Sequence, residues 1–185
     1  MKKLLVAITG ASGSPYALAF LRLLRELGVP MEIVLSQAAK QVFPLETGLE
    51  IQALEGLCQR LYEEGEIAAP PASGSALYQG MVIIPCTMGT LASVAHGWAK
   101  NLITRAADVM LKERRPLILV VRETPFNLIH LRNMLAAAEA GATIYPAMPA
   151  FYHRPQKIDD LCDFFAGRLA EFLGFAVEGL KRWAG

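Results

Sequence analysis

The 185-residue chain is short of charge. Asp, Glu, Lys and Arg make up 19% of it, where a globular chain usually has about 25%. The two signs nearly cancel to a formal net charge of +1, and no basic stripe offers a footprint for nucleic acid. Cysteine is scarce. The three, at 58, 86 and 162, are an odd number without a CxxC pair, which excludes a disulfide framework and suits a reducing cytoplasm. The three histidines, at 96, 130 and 153, lack HxxxH spacing, so no metal site is expected. Long hydrophobic runs are missing too. Runs such as Leu4–Ile8, Met81–Ile84 and Leu117–Val121 fall far short of the roughly 18 residues of a spanning helix. The first ten residues superficially resemble a signal peptide. Their apolar part is short and runs into a Gly-rich turn, so a first strand is expected instead.

Apolar surface, by contrast, is abundant. Hydrophobic residues are 54% of the chain, or about 59% with Gly counted in place of Tyr, against roughly 45–50% in a typical domain. Disorder is excluded. At roughly 150 residues per domain the length predicts a single domain, 1–185. With no membrane to take it, the surplus apolar surface points to self-association and ligand binding.

Short apolar runs alternate with helical patterns. Strands are expected at Leu4–Thr9, Glu32–Leu35, Met81–Pro85, Leu117–Val121 and Ala142–Tyr145. Helices are expected at Pro15–Leu27, about Ala38 to Glu46, about Glu50 to Tyr62, from Leu91, and from an Asn101 cap to about Arg115. Another is expected from a Thr124 cap, with Pro125 at its first position, to Gly141. A C-terminal helix and tail cover about 158–185, mainly helical to Trp183, and residues 65–80 form a long loop. Fully apolar strands alternating with helices predict an α/β fold with a mainly parallel sheet covered on both faces. Ligands bind such sheets at the carboxyl ends of the strands.

Thr9-Gly10-Ala11-Ser12-Gly13-Ser14 joins the first strand to the first helix. Its small residues let backbone N–H groups approach a phosphate at a helix N-terminus, although a tight strand-to-helix turn uses the same residues. A dinucleotide site wants an acid at the end of strand two. That end is Ser36, which fits a mononucleotide such as FMN better than NAD and also fits an ordinary helix cap. Pro85-Cys86-Thr87-Met88-Gly89-Thr90 is a second polar loop after a buried strand. Cys86 reads as a buried small hydrophobe rather than a nucleophile. Arg122-Glu123 follows a third strand, where a carboxylate whose pKa burial raises could transfer protons. Asp159-Asp160-Leu161-Cys162-Asp163 matches the DDxxD pattern that holds magnesium-diphosphate, but reads better as acids complementing a helix dipole.

In order along the chain, Thr9–Gly13, Leu45-Glu46-Thr47, Ala72-Ser73-Gly74-Ser75, Pro85-Cys86, Asn101–Val109, Leu111–Leu117, Arg122-Glu123-Thr124-Pro125, Ile129-His130-Leu131, Pro149–Gln156 and Arg182-Trp183 resemble the UbiX/Pad1 flavin prenyltransferase family. The resemblance implies a Rossmann-like, flavoprotein-type three-layer α/β/α sandwich. It implies transfer of the dimethylallyl group of dimethylallyl phosphate to N5 and C6 of reduced FMN, without metal. Prenylated FMN, cofactor of a partner UbiD-type decarboxylase, and free phosphate are the implied products, and the implied assembly is a dodecamer. By position, the resemblance implies FMN contacts from Gly10, Ala11, Ser12, Ser36, Thr87, Met88, Gly89, Thr90 and Arg122, with Ser12 near N5. It implies acid/base roles for Glu46 and Glu123, a phosphate cluster of Arg105, Lys112, Tyr152 and Arg168, and Trp183 beside the prenyl group. Two rival readings are a cysteine-type flavin decarboxylase, whose PxMNxxMW motif is replaced here by Pro149-Ala150-Phe151-Tyr152, and an electron-transfer flavin carrier.

Overall fold

The computed structural model describes residues 3–183; residues 1–2 of the signal-like start and 184–185 of the expected tail lie outside them. Strands β1 (Lys3–Ile8), β2 (Met31–Leu35), β3 (Arg60–Glu63), β4 (Tyr78–Cys86), β5 (Leu117–Val121) and β6 (Thr143–Ile144) form one sheet in the order β3-β2-β1-β4-β5-β6. Every neighbouring pair is parallel. Seven helices connect them: α1 (Ser14–Glu26), α2 (Gln37–Thr47), α3 (Gln52–Glu55), α4 (Met88–Ala95), α5 (Leu102–Lys112), α6 (Leu128–Glu139) and α7 (Ile158–Phe172).

The central strands are mainly apolar because both faces of the sheet are covered. Leu4, Val6 and Ile8 of β1, Val82 and Ile84 of β4, and Ile118 and Val120 of β5 pack on one side with α1 and α7. Leu5 and Ala7, Met81 and Ile83, and Leu117, Leu119 and Val121 pack on the other with α4, α5 and α6. The period-2 alternation of a strand thus feeds two cores, and the expected three-layer sandwich is present.

Three expectations are corrected. The helix expected at about Glu50 to Tyr62 is the single turn α3 followed by the edge strand β3. Arg60-Leu61-Tyr62-Glu63 pairs with β2 in extended form, burying Tyr62. The helix expected from Thr124 begins at Leu128, where Asn127 and His130 form a complete capping box; that reciprocal pair satisfies more first-turn groups than a lone Thr. The C-terminal helix stops at Phe172 rather than near Trp183. Gly174 there adopts φ 88°, a left-handed conformation that ends helices. Asp159–Asp163 is indeed a helix start: the Asp160 carboxylate accepts the N–H groups of Gln156 and Lys157 at 2.8 and 3.2 Å. These bonds, the Gln156 one foremost, hold it below the usual carboxylate range. Among the described residues no helix is long and apolar enough to cross a membrane.

Candidate active site

The strand order reverses between β1 and β4, because β2 and β3 extend the sheet one way and β5 and β6 the other. That is the switch point where a crevice opens at the carboxyl ends of a doubly wound sheet. The Thr9–Ser14 and Cys86–Thr90 loops flank it. Thr9 staples them together. Its Oγ1 donates to the Pro85 carbonyl at 2.6 Å and accepts the Thr87 N–H at 3.0 Å. The sequence reading gave Thr9 no role of its own; a buried hydroxyl just past a strand was the available signal.

Helix N-termini surround the crevice. Ser36 is buried and caps α2 by accepting the Ala39 N–H at 3.0 Å. Thr87 caps α4 through the Thr90 N–H at 3.1 Å, and its hydroxyl donates to Thr90 Oγ1 at 2.9 Å. The first-turn N–H groups of α4, on Met88 and Gly89, have no carbonyl within the helix to bind them. Gly10 brings the first loop hard against α2; a Cβ there would stand 2.3 Å from Ala38 Cβ. Small side chains, capped helix starts and amide donors are the features a mononucleotide phosphate and ribityl chain require, so these residues fit FMN.

At the start of α1, Glu46 reaches across from α2. It accepts the N–H groups of Gly13 and Ser14 at 2.9 and 2.8 Å. Partial burial alone would raise its pKa, but hydrogen bonds from the Ser12 hydroxyl and these amides prevail and hold it below the usual range. The carboxylate thus fixes the backbone of the first loop where it enters α1. Cys86 lies fully buried at the end of β4, and burial pushes its thiol up to about 12, in keeping with a packing role. Arg122 and Glu123 follow β5 and are exposed in this chain. The burial expected of Glu123 is absent from the single chain, where its carboxylate accepts the Thr124 N–H at 3.0 Å.

An aromatic wall leads away from the crevice. Tyr16, in the first turn of α1, packs 4.7 Å from Phe165 of α7, and Tyr145 meets the same ring at 5.6 Å. Beyond lies a cleft of about 380 Å³ between Tyr145, Met148, Tyr152, Phe164, Phe165 and Arg168. Its lining is apolar and aromatic except for the one guanidinium and the Tyr hydroxyls. Trp183 stands edge-on to Tyr152 with ring centroids 5.6 Å apart. The apolar residues of this wall were missed in the sequence, because Tyr16, Tyr145 and Phe165 follow the same spacing as core positions.

The four residues of the expected phosphate cluster do not meet within one chain. Tyr152 and Arg168 belong to the cleft on the α1/α7 face. Arg105 and Lys112 are on α5, in the opposite layer. Arg105 binds the Ala72 carbonyl at 3.1 Å and Asp108 at 2.6 Å, and Lys112 pairs with Glu113 beside Gly74. The start of α5 is tied to the carboxyl end of β3 by the Leu102 N–H to Glu64 carbonyl bond. Lys112 therefore falls toward the amino ends of the strands, five residues before β5 begins at Leu117. Apolar surface remains uncovered on the same layer: Leu128, Ile129, Leu131 and Leu135 of α6 are 49–65% exposed. Among the described residues no three His, Cys, Asp or Glu side chains come together as a metal site.

A parallel doubly wound sheet with a small-residue cradle at its switch point defines a Rossmann-like nucleotide-binding protein of the flavoprotein type. A family model described as Flavoprotein matches residues 1–172. A flavin prenyltransferase UbiX of Deinococcus radiodurans is 48% identical over 181 residues, covering 98% of this chain and 93% of the relative. The crystal structure of AnUbiX (PadA1), in complex with FMN and dimethylallyl pyrophosphate, superposes with a TM-score of 0.97 at 41% identity, covering 100% of this chain and 98% of the other. A dodecameric FMN-dependent UbiX-like decarboxylase from Escherichia coli O157:H7 gives 0.95 at 41% identity, with 99% and 100% covered. This chain belongs to the flavoprotein family and, within it, to the flavin prenyltransferases of the UbiX type.

Proposed function

We propose that the protein transfers the dimethylallyl group of dimethylallyl phosphate to reduced FMN, releasing phosphate and yielding the prenylated cofactor of a UbiD-type decarboxylase. The observation that carries this reading is the continuity of the Tyr16–Phe165–Tyr145 wall from the flavin-type cradle into an aromatic cleft that ends in a cation. Such a cleft suits a short branched hydrocarbon carrying an anionic leaving group.

Gly10, Ala11, Ser12, Ser36, Arg122 and Thr87–Thr90 would hold FMN, with the amides at the start of α4 directed to anionic or carbonyl oxygens. Reduced FMN, when bound, supplies nucleophilic N5 and C6. Glu46 orients the Ser12 hydroxyl toward the N5 region and stays ionised while doing so. Glu123 serves as the proton-transfer carboxylate. Tyr152, Arg168, Arg105 and Lys112 bind the leaving phosphate. Cations aimed at oxygens that gain charge stabilise the departure directly, which removes the need for a metal. The Trp183 and Tyr152 ring faces stabilise cationic character on the allyl group.

Because α5 and α7 lie in opposite layers, the phosphate cluster is completed by α5 of another copy of the chain. The exposed apolar face of α6 and the dodecameric relative support a homo-oligomer, and we assign this chain the same dodecamer. Residues 1–185 act as one FMN-binding unit, working in the cytoplasm.

Anaerobic incubation with FMN, a reductant and dimethylallyl phosphate in excess EDTA tests the reading. The expected result is a flavin heavier by one five-carbon unit, with equimolar phosphate. An unmodified flavin would refute it, and a requirement for added Mg²⁺ would refute the metal-free clamp.

A further inference from the structure

Residues 173–183, after α7, have no regular secondary structure, yet they are tied down at successive points. The Phe175 N–H binds the Ala170 carbonyl at 3.0 Å. Leu180 lies so close over Gly167 that a Cβ there would be 2.7 Å from Leu180 Cδ1. Lys181 Nζ donates to the His153 carbonyl at 3.2 Å, and Arg182 donates to Glu171 Oε1 at 2.5 Å. Trp183 follows, against Tyr152. The other oxygen of Glu171, Oε2, accepts from Arg168 at 2.7 Å. The Glu171 side chain is only 14% exposed.

We propose that Glu171 is a positioning residue for the donor substrate: its two oxygens join Arg168 and Arg182 in one bridge, so that the cation of the aromatic cleft and the seat of Trp183 are set together. The inference rests on reading Arg168, Tyr152 and Trp183 as the group that receives dimethylallyl phosphate. Isolated exposed ion pairs fix little. Here one shielded carboxylate serves two guanidiniums, and each bond is charge-assisted. Two long side chains that would otherwise sample many rotamers are held. Arg168 spends one N–H on Glu171 and keeps its remaining donors for phosphate oxygens. The tail that carries Trp183 is anchored to the same helix one turn away.

Glu171→Gln tests this at nearly constant size. Gln keeps one acceptor oxygen and turns an NH₂ donor toward the second guanidinium, which breaks one arm of the bridge. The chain has two Trp residues, so Trp98→Phe leaves Trp183 as the only indole emitter. Trp183 is already 74% exposed, so what the bridge controls is its mobility, and in that background Glu171→Gln is expected to lower the fluorescence anisotropy of Trp183. The KM for dimethylallyl phosphate is expected to rise about tenfold, the scale of a misplaced binding group, with kcat changing less. FMN affinity and melting temperature should hold, and Glu171→Asp should recover part of the KM. Unchanged anisotropy, or lowered anisotropy with unchanged KM, overturns the proposal. So does a parallel loss of FMN binding and melting temperature, which would make Glu171 a general packing residue. The anisotropy arm needs no turnover, so a wild-type protein inactive with dimethylallyl phosphate would count against the substrate reading and still leave the bridge to be judged by Trp183.

Discussion

At Glu46 the contest between burial and hydrogen bonding decides the protonation state. Burial favours the neutral acid, while Ser12 and two amides at the start of α1 favour the anion and win. The folded pKa lies below the ordinary glutamate value. A depressed carboxylate stabilises the fold above its unfolded pKa and loses that contribution as pH falls through the folded one. Glu46→Gln should therefore melt lower than wild type near neutral pH. The gap should close as the buffer is taken below about pH 4.5, the unfolded value. Calorimetry of both proteins across that range checks it; a constant gap would give Glu46 a role unrelated to charge. Ser36 and Asn101 were legible as caps in the sequence because a cap needs only a residue type at a boundary; Thr87 was not, because its helix was expected to begin only at Leu91. The partner of Glu46 was not, since the contact from α2 to the first loop depends on how two elements cross.

Elements were read where their patterns were long. β1, β4 and β5 carry continuous apolar stretches, Leu4–Ile8, Met81–Ile84 and Leu117–Val121, and both faces of each stretch are buried. β3 escaped because four residues at a sheet edge, with Arg60 over the Tyr62 ring at 4.6 Å, leave little period-2 signal. The last stretch misled because Leu173, Val177 and Leu180 keep the i, i+4, i+7 spacing of a helix face, while Gly174 stops the backbone. How closely elements meet is a further quantity that patterns do not carry. Gly10→Ala should overpack the contact between the first loop and α2, costing about 1–3 kcal/mol. Ala38→Gly in the same chain should recover most of that loss. Denaturant titration of the two single variants and the double variant measures the coupling. Additive losses would mean that the loop relaxes independently of α2.

For the whole molecule, the placement of cations on two layers is the decisive feature. The loops at the strand ends were legible because the topology rule points to them. That Lys112 and Arg168 face apart was not, because spacing along the chain does not say which side of the sheet each helix covers. Lys112→Ala and Arg168→Ala homo-oligomers should each be nearly inactive. Unfolding and refolding the two together should restore activity, to about one site in four under random assortment of subunits in a symmetric assembly. Turnover of the mixture against each parent checks this. A mixture no better than its parents would place both cations in one chain's own site. Light scattering of wild type at micromolar concentration should find a large oligomer rather than a monomer.

The two-layer arrangement also makes catalysis a collective property. A lone chain holds half of its phosphate clamp, so specific activity should fall with dilution instead of staying constant. A cell that makes little of this protein would obtain less than a proportionate share of its chemistry. A defective allele expressed beside a sound one would spoil sites that its own chain never occupies.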